Sequence, residues 1–285
     1  MMKTEFFKPT DVKTALELLD KYQDKALIVN GGSDAVEDIS SGKKQPEAII
    51  FVADIAEMKN IEVRGDEIVI GGAVTYVEML ASPIIQRVHG MIEAVRQLGS
   101  PAIRQVATPA GNVGTGAPSA DCTTMLMGSA AKIVAVSAQG ERIIPIEEFF
   151  VKTYKTVLQP NELIREIRFP NPKEGDGTGY IRLARRKAQD IGKVLISATL
   201  SVKDGVCTKA IIGLGALNAT AVRGTSIETA LVGKTKEDAL TYVRENFPAE
   251  AGLRPSRFTH YKELVTCVAV QRAVEMAWKN AEGEI

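Results

Sequence analysis

Residues 108–121 constrain this chain more than any other stretch. They read T-P-A-G-N-V-G-T-G-A-P-S-A-D, with three glycines, two prolines and no apolar repeat at helix or strand period, and this pattern predicts a loop. Gly111, Gly114 and Gly116 let the backbone approach a ligand closely, and the bare N–H groups of such a segment form an anion-binding concavity. Asp121 could accept hydrogen bonds from sugar hydroxyls. Composition alone supports a glycine-rich surface turn equally well.

A second glycine-rich stretch favours the ligand-binding interpretation. The sequence N-G-G-S-D at 30–34 follows the apolar run 26–29, which is typical of a strand that delivers a glycine turn. Two phosphate-binding bends in one chain suggest a diphosphate held between two lobes. Neither bend matches the usual dinucleotide fingerprint, because residues 111–116 have the spacing G-x-x-G-x-G and not G-x-G-x-x-G. The tripeptide G-K-T at 233–235 is predicted to be a turn, since Glu228 occupies the upstream glycine position of a phosphate loop.

Length, charge and cysteine content limit the class of protein. At 285 residues the chain has room for one large or two modest domains. The 35 Lys and Arg residues balance the 35 Asp and Glu residues, which argues against nucleic acid or an anionic membrane as the main partner. The three cysteines form no C-x-x-C pair, so we expect no iron–sulfur, zinc or other metal site in this chain. No signal peptide or membrane-spanning run is recognised, and the cytoplasm is the expected location.

The order of predicted elements indicates an α+β fold. A helix begins at Thr10 as N-cap, strand 26–29 and strand 48–52 follow, and hairpins are predicted at 61–70 and 132–146, with one helix over 84–98 between them. Residues 173–179 read as a linker. Three consecutive strands (180–187, 194–203 and 206–214) and three helices come after it, which predicts a three-stranded antiparallel sheet with helices. We therefore expect one domain over 1–172, with lobes at about 1–56 and 57–172, and a second over 178–285.

At this point the motifs resemble those of a known family, the FAD-binding medium subunits of the molybdenum hydroxylases, which include xanthine dehydrogenase and carbon monoxide dehydrogenase. The stretch at 30–34 is similar to the family's first flavin motif, A-G-G-T-D, and 107–121 to its second, T-I-G-G-N-x-x-x-x-x-P-x-x-D. R-R-K-A-Q-D-I-G-K at 185–193 and the Arg254–Leu264 element R-x-S…Y-K-x-L resemble two C-terminal motifs. The resemblance covers nearly the whole chain. It implies a two-lobed FAD-binding domain of the p-cresol methylhydroxylase and vanillyl-alcohol-oxidase (PCMH) type, followed by the family's C-terminal domain.

The resemblance also implies which residues bind FAD. The first bend would hold the diphosphate and the second would wrap it, Asp121 would bind hydroxyls on the ribose or adenine side, and Lys193 would reach the flavin region unless it is only a solvated strand lysine. Ile164 and Leu163 would pack on the isoalloxazine ring, although core packing explains them equally well. No catalytic side chain is assigned, because the chemistry would belong to the cofactor. The expected FAD-binding residues are Ile28, Val29, Asn30, Gly31, Gly32, Ser33, Asp34, Ala107, Thr108, Gly111, Asn112, Gly114, Thr115, Ala120, Asp121, Ile164 and Lys193.

Members of this family transfer electrons within a larger complex. The resemblance implies a large molybdopterin subunit and a small [2Fe–2S] subunit as partners, a dimer of such heterotrimers as a candidate assembly, and NAD or another molecule as electron acceptor. Two alternatives stay open: a stand-alone flavin oxidoreductase of the same fold, and a flavin-free scaffold subunit. The scaffold is suggested by Pro109 and Ala110, which stand where the family usually has Ile-Gly. The sequence specifies neither the substrate of the complex nor the acceptor.

Overall fold

The first lobe is a small parallel sheet with one covering helix. A computed structural model describes residues 4–187 and 189–284. The three strands pair in the order β1-β3-β2, and α1 packs Ala15, Leu16 and Leu19 into a core shared with Ile50 of β3. The elements are β1 (Glu5–Phe7), α1 (Val12–Tyr22), β2 (Ala26–Val29), α2 (Ala35–Ser40) and β3 (Ala48–Phe51), with 3₁₀ turns at Gln23–Lys25 and Ala56–Met58.

The second lobe is built on a five-stranded antiparallel sheet. The order is β4-β5-β10-β6-β7, and both predicted hairpins are present in it. The elements are β4 (Ile61–Arg64), β5 (Glu67–Gly71), α3 (Tyr76–Ala81), α4 (Pro83–Gln86), α5 (His89–Gln97), α6 (Pro101–Val106), α7 (Pro109–Thr115), α8 (Asp121–Met127), β6 (Lys132–Ser137), β7 (Gly140–Pro145), α9 (Ile146–Phe149), β8 (Phe150–Lys152), β9 (Lys155–Thr156) and β10 (Leu163–Pro170).

The C-terminal part of the chain is an antiparallel sheet between helices. Side chains alternate between the faces of a strand, so Ile196 and Ala198 of β12 face the core of the long helix α12, whereas Ser197 donates a 2.6 Å hydrogen bond to the Thr124 carbonyl of α8. The elements are β11 (Asp176–Leu183), β12 (Val194–Lys203), β13 (Val206–Gly215), β14 (Val222–Arg223), α10 (Thr225–Leu231), α11 (Lys236–Glu245) and α12 (Thr259–Ala281). Helix α8 of the second lobe therefore packs directly on the C-terminal sheet.

The α+β class is confirmed, and several local expectations are corrected. The sheet has four strands and not three, because β14 pairs with β13. Asp11, not Thr10, caps α1, since its carboxylate accepts from the Thr14 N–H at 2.8 Å. The helix predicted over 84–98 is two helices, α4 and α5.

The predicted linker at 173–179 is partly strand. β11 begins at Asp176, and its glycines lie against α12. A Cβ atom at Gly177 would come within 2.0 Å of the Ala277 carbonyl oxygen, and one at Gly179 within 2.2 Å of the Ala273 oxygen. These glycines permit close packing of helix on strand, which reads in the sequence like the glycine content of a linker.

Candidate functional site

The bend at 30–34 is shaped by the close approach of another segment. Gly31 lies so near α6 that a Cβ atom there would stand 1.9 Å from the Val106 carbonyl oxygen. Gly32 has φ of +71°, a conformation that favours glycine. Asn30 donates from Nδ2 to the Gly72 carbonyl at 3.0 Å, which fixes the bend to the second lobe. Glycine at 31 and 32 is therefore a steric requirement for the two lobes to meet.

The stretch at 108–121 is not the predicted loop, because most of it is helical. Thr108 caps α7 through its hydroxyl, which accepts from the Gly111 N–H at 3.0 Å, and Pro109 occupies the first turn. Gly116 ends the helix in the left-handed conformation with φ of +63°. Threonine, then proline, then a closing glycine is a start-and-stop signal for a helix, although a glycine-rich helix has no apolar period to reveal it.

The two segments line one cavity of about 610 Å³ between the lobes, a size typical of small-molecule sites. They approach each other where the Thr115 hydroxyl donates to the Asp34 carboxylate at 3.4 Å. Of the expected binding residues, the cavity lining contains Ile28, Val29, Asn30, Gly31, Gly32, Ser33, Asp34, Ala107, Thr108, Gly111, Asn112, Gly114, Thr115 and Ile164.

The cavity wall also contains residues that the sequence analysis missed. Tyr76 of α3, Leu98 and Ile103 contribute apolar surface, and the 158–163 segment leading into β10 closes another side. Glu37, Asp38 and Lys44 come from α2 and the turn after it. None of these lies in a glycine-rich motif; the only usable signal was their position directly after an element that carries one.

The donor groups in this cavity fit a diphosphate. Within the described residues, the backbone N–H groups of 31–34 donate no hydrogen bond to the protein, and such groups need an acceptor. The Asn30 Oδ1 atom is buried and without a partner. Among the charged lining residues, carboxylates outnumber the single cation, Lys44. A bound diphosphate would therefore be held by backbone N–H groups and not by arginine or lysine side chains.

Three expected binding residues, Ala120, Asp121 and Lys193, do not line this cavity. Asp121 is instead at the junction with the C-terminal sheet, where its Oδ1 accepts from the Tyr180 hydroxyl and the Arg182 Nε, each at 2.8 Å. Lys193 stacks its ammonium over the Phe258 ring at 4.9 Å from the centroid.

Asp121 is nevertheless connected to the cavity wall. It begins α8, and two residues later the Thr123 N–H donates to Asn112 Oδ1 at 3.3 Å. The Arg182 side chain is 3% exposed, so this ion pair is buried. Burial raises the pKa of Asp121, against the opposing effects of Arg182 and Tyr180. The carboxylate thus links a strand of the C-terminal sheet to the helix pair that forms one side of the cavity.

Two further buried groups behind the cavity are electrically neutral. Burial raises the pKa of the Cys122 thiol to about 12, and it raises the pKa of the Tyr76 phenol well above its usual range. A thiol with such a pKa is a poor nucleophile. Among the described residues, no group of three or more His, Cys, Asp or Glu side chains could hold a metal ion.

Glu162 forms the charged side of the cavity near β10. Arg142 donates to its two oxygens from Nε at 2.5 Å and from a terminal nitrogen at 2.7 Å, and the Gln159 N–H donates at 2.7 Å. Burial favours the neutral acid, but the hydrogen bonds from Arg142 and Gln159 outweigh it and lower the pKa of Glu162. This bidentate pair fixes the segment 158–163 against the sheet.

Comparisons with known proteins match both parts of the chain. Residues 2–172 match the family described as the FAD binding domain in molybdopterin dehydrogenase, and residues 179–277 match the CO dehydrogenase flavoprotein C-terminal domain. None of the described helices is long and apolar enough to cross a membrane.

Individual proteins agree with the family match. The carbon monoxide dehydrogenase medium chain of Hydrogenophaga pseudoflava is 30% identical, with 96% of each chain covered. The nicotinate dehydrogenase FAD-subunit of Eubacterium barkeri is 28% identical, with 90% of each covered. The structure of carbon monoxide dehydrogenase from Hydrogenophaga pseudoflava superposes with a TM-score of 0.91 at 27% identity over 98% of each chain. This chain belongs to the family of FAD-binding subunits of molybdenum hydroxylases, and it is a subunit of an FAD-dependent oxidoreductase.

Proposed function

We propose that this chain binds one FAD between its two lobes and serves as the electron-transfer subunit of a xanthine dehydrogenase-like complex. The observation that carries the proposal is the convergence of two glycine-rich segments on one cavity, with the N–H groups of 31–34 free of protein acceptors. Residues 31–34 and the start of α7 would hold the diphosphate. Ile164, Leu163 and Tyr76 offer apolar surface for a flat ring system.

Electrons would enter from a small [2Fe–2S] subunit and leave to NAD or another acceptor. FAD would supply the change from two-electron to one-electron chemistry, while the protein supplies binding, orientation and exclusion of water. A large molybdopterin subunit would carry out the substrate reaction and so decide the substrate. A dimer of heterotrimers is the proposed assembly, and the cytoplasm is the proposed location.

The roles of Asp121, Ala120 and Lys193 in this proposal differ from those of the cavity residues. Asp121 would act through Thr123 and Asn112, because its carboxylate is already occupied by Tyr180 and Arg182. Ala120 would act only as the residue that precedes α8. Lys193 would reach the flavin only if its contact with Phe258 were broken.

The test is rapid mixing of the purified, FAD-loaded chain with its dithionite-reduced small subunit under anaerobic conditions. The proposal expects bleaching of the flavin absorbance at a rate that increases with the small-subunit concentration, and recovery on addition of a suitable acceptor such as NAD⁺. A chain that purifies without flavin and gains none when FAD is added would instead support the flavin-free scaffold. Flavin reduction by a small substrate without any partner would support the stand-alone oxidoreductase.

A further inference from the structure

The C-terminal part carries a concentration of positive charge that its own carboxylates do not balance. The segments 185–193 and 254–264 contain seven lysine and arginine residues and two carboxylates, a net charge of +5, in a chain whose formal net charge is zero. We call the surface formed by these two segments the basic surface. Charge asymmetry of this size on a neutral protein indicates a binding function rather than a solubility function.

The two segments of the basic surface meet at Phe258. The Lys193 ammonium and the Arg257 guanidinium each lie 4.9 Å from the centre of its ring. Lys262 is buried nearby, where its ammonium donates to the Ala216 carbonyl, and the positive charges of Arg254 and Lys193 add to the effect of burial in lowering the pKa of Lys262. These side chains therefore lie close enough to repel one another.

The carboxylates present leave most of this charge unpaired. Asp190, whose side chain is 2% exposed, pairs with Arg185 at 3.2 Å and Arg186 at 3.9 Å, and it also accepts from the Arg185 and Ile191 N–H groups. Those bonds fix the 185–191 segment in one conformation. In the part of the chain that the structure describes, Arg254 and Arg257 make no ion pair within 4.0 Å.

Apolar side chains project from the same two segments. Ile191 is 63% exposed, Leu264 is 64% exposed and Tyr261 is 41% exposed. A small anion would need the cations but would gain nothing from three outward apolar groups. Arginine and tyrosine around an apolar centre are typical of the surfaces that bind proteins.

The basic surface is also coupled to the cavity. Arg182 donates to the Asp190 carbonyl as well as to Asp121, and α8 connects Asp121 to Asn112 in the cavity wall. A donor protein bound at this surface would therefore contact a segment two hydrogen-bonded steps from the proposed flavin site. Electron transfer requires such proximity, and this points to the electron donor rather than another subunit.

We propose that the basic surface docks the small iron–sulfur subunit through an acidic face with an apolar centre. The proposal rests on the electron-transfer function proposed above. Carboxylates of the donor would neutralise Arg254 and Arg257 at the rim, which mainly accelerates association and makes it depend on salt. Ile191, Tyr261 and Leu264 would supply the buried contact.

The experiment measures binding of the purified full-length chain to its purified small subunit by titration calorimetry at low and high NaCl. The double substitution Arg254→Glu/Arg257→Glu should weaken binding at least tenfold at low salt and reduce the salt dependence. Leu264→Ala should weaken binding while leaving the salt dependence unchanged. The matched control is Lys203→Glu/Arg272→Glu, which makes the same charge change at two exposed residues outside the basic surface and should bind like the wild type.

Equal affinity of the two charge-reversed proteins would overturn the proposal, and so would wild-type binding that is indifferent to salt. Salt-dependent binding of the large subunit, or of phosphatidylglycerol vesicles, through the same arginines with none of the small subunit would also overturn it. FAD content and thermal unfolding of each variant show that the fold is intact. A chain that binds FAD but not the small subunit refutes only the docking surface, whereas one that binds the small subunit without FAD refutes only the flavin function.

Discussion

The ion pair between Asp121 and Arg182 joins the C-terminal sheet to the cavity wall, and its removal should be costly. The carboxylate is buried, and its Oδ1 accepts both 2.8 Å hydrogen bonds, from Arg182 and Tyr180. Arg182→Met would leave a buried, uncompensated charge, a change that typically costs about 3–5 kcal/mol. Tyr180→Phe removes one hydrogen bond to a charged group and should cost about 1.5–3 kcal/mol.

The pH dependence gives this prediction a sign. Burial already raises the pKa of Asp121, and Arg182 opposes that rise, so Arg182→Met should raise it further. A carboxyl whose folded-state pKa lies above its unfolded value is destabilising when ionised, and protonation relieves the cost. The difference in unfolding free energy between the wild type and Arg182→Met should therefore shrink as the pH falls through the raised pKa.

Urea unfolding followed by the fluorescence of Trp278, the single and fully buried tryptophan, measures the change. Hydrogen exchange at residues 111–115 should accelerate in Arg182→Met, because α8 holds Asn112. Adding Asp121→Asn to Arg182→Met should recover part of the loss, since it removes the uncompensated charge. The control is Arg165→Met, which breaks an exposed 3.5 Å pair with Glu141 and should cost at most about 1 kcal/mol. An Arg182→Met protein as stable as that control, with unchanged exchange, would refute the reasoning.

Three other substitutions test separate parts of the structure. Gly31→Ala would place Cβ 1.9 Å from a backbone oxygen, whereas Gly114→Ala meets nothing nearer than 3.7 Å; thermal unfolding should show a large loss for the first alone, and FAD titration a weaker affinity for both. Gly177→Ala would bring Cβ within 2.0 Å of a helix carbonyl, so the C-terminal helix should separate from its sheet, and an unchanged melting temperature would contradict this. The pKa of Glu162 is lowered, so its contact with Arg142 stabilises the fold above the unfolded pKa and is lost as pH falls through the folded one; Glu162→Gln should show a flatter decline in unfolding free energy there, and identical acid curves would contradict it.

The sequence predicted those features that depend on local pattern. The amphipathic face of α1, both hairpins of the five-stranded sheet and the long strands β12 and β13 follow directly from apolar periodicity. The cavity was predicted from glycine content, because a segment with few side chains can approach another segment or a ligand closely. Gly31 against Val106 shows that such an approach exists.

The remaining features depend on contacts between distant residues. Asp121 looks like a ligand-binding acid in its motif, but Tyr180 and Arg182 lie 59 and 61 residues further along the chain and occupy its oxygen. Gly177 and Gly179 look like a linker because α12, which requires them to be small, is about a hundred residues away. The helix α7 was missed for a different reason: its capping residues were visible, but its glycines conceal any periodicity.

The central claim is that two glycine-rich segments hold one diphosphate, and titration calorimetry with FAD, ADP and riboflavin tests it most directly. The purified chain should bind one FAD, ADP should compete for the same site, and riboflavin, which lacks the diphosphate, should bind far more weakly than FAD. Riboflavin binding as tight as FAD, or FAD binding that ADP does not affect, would contradict the claim.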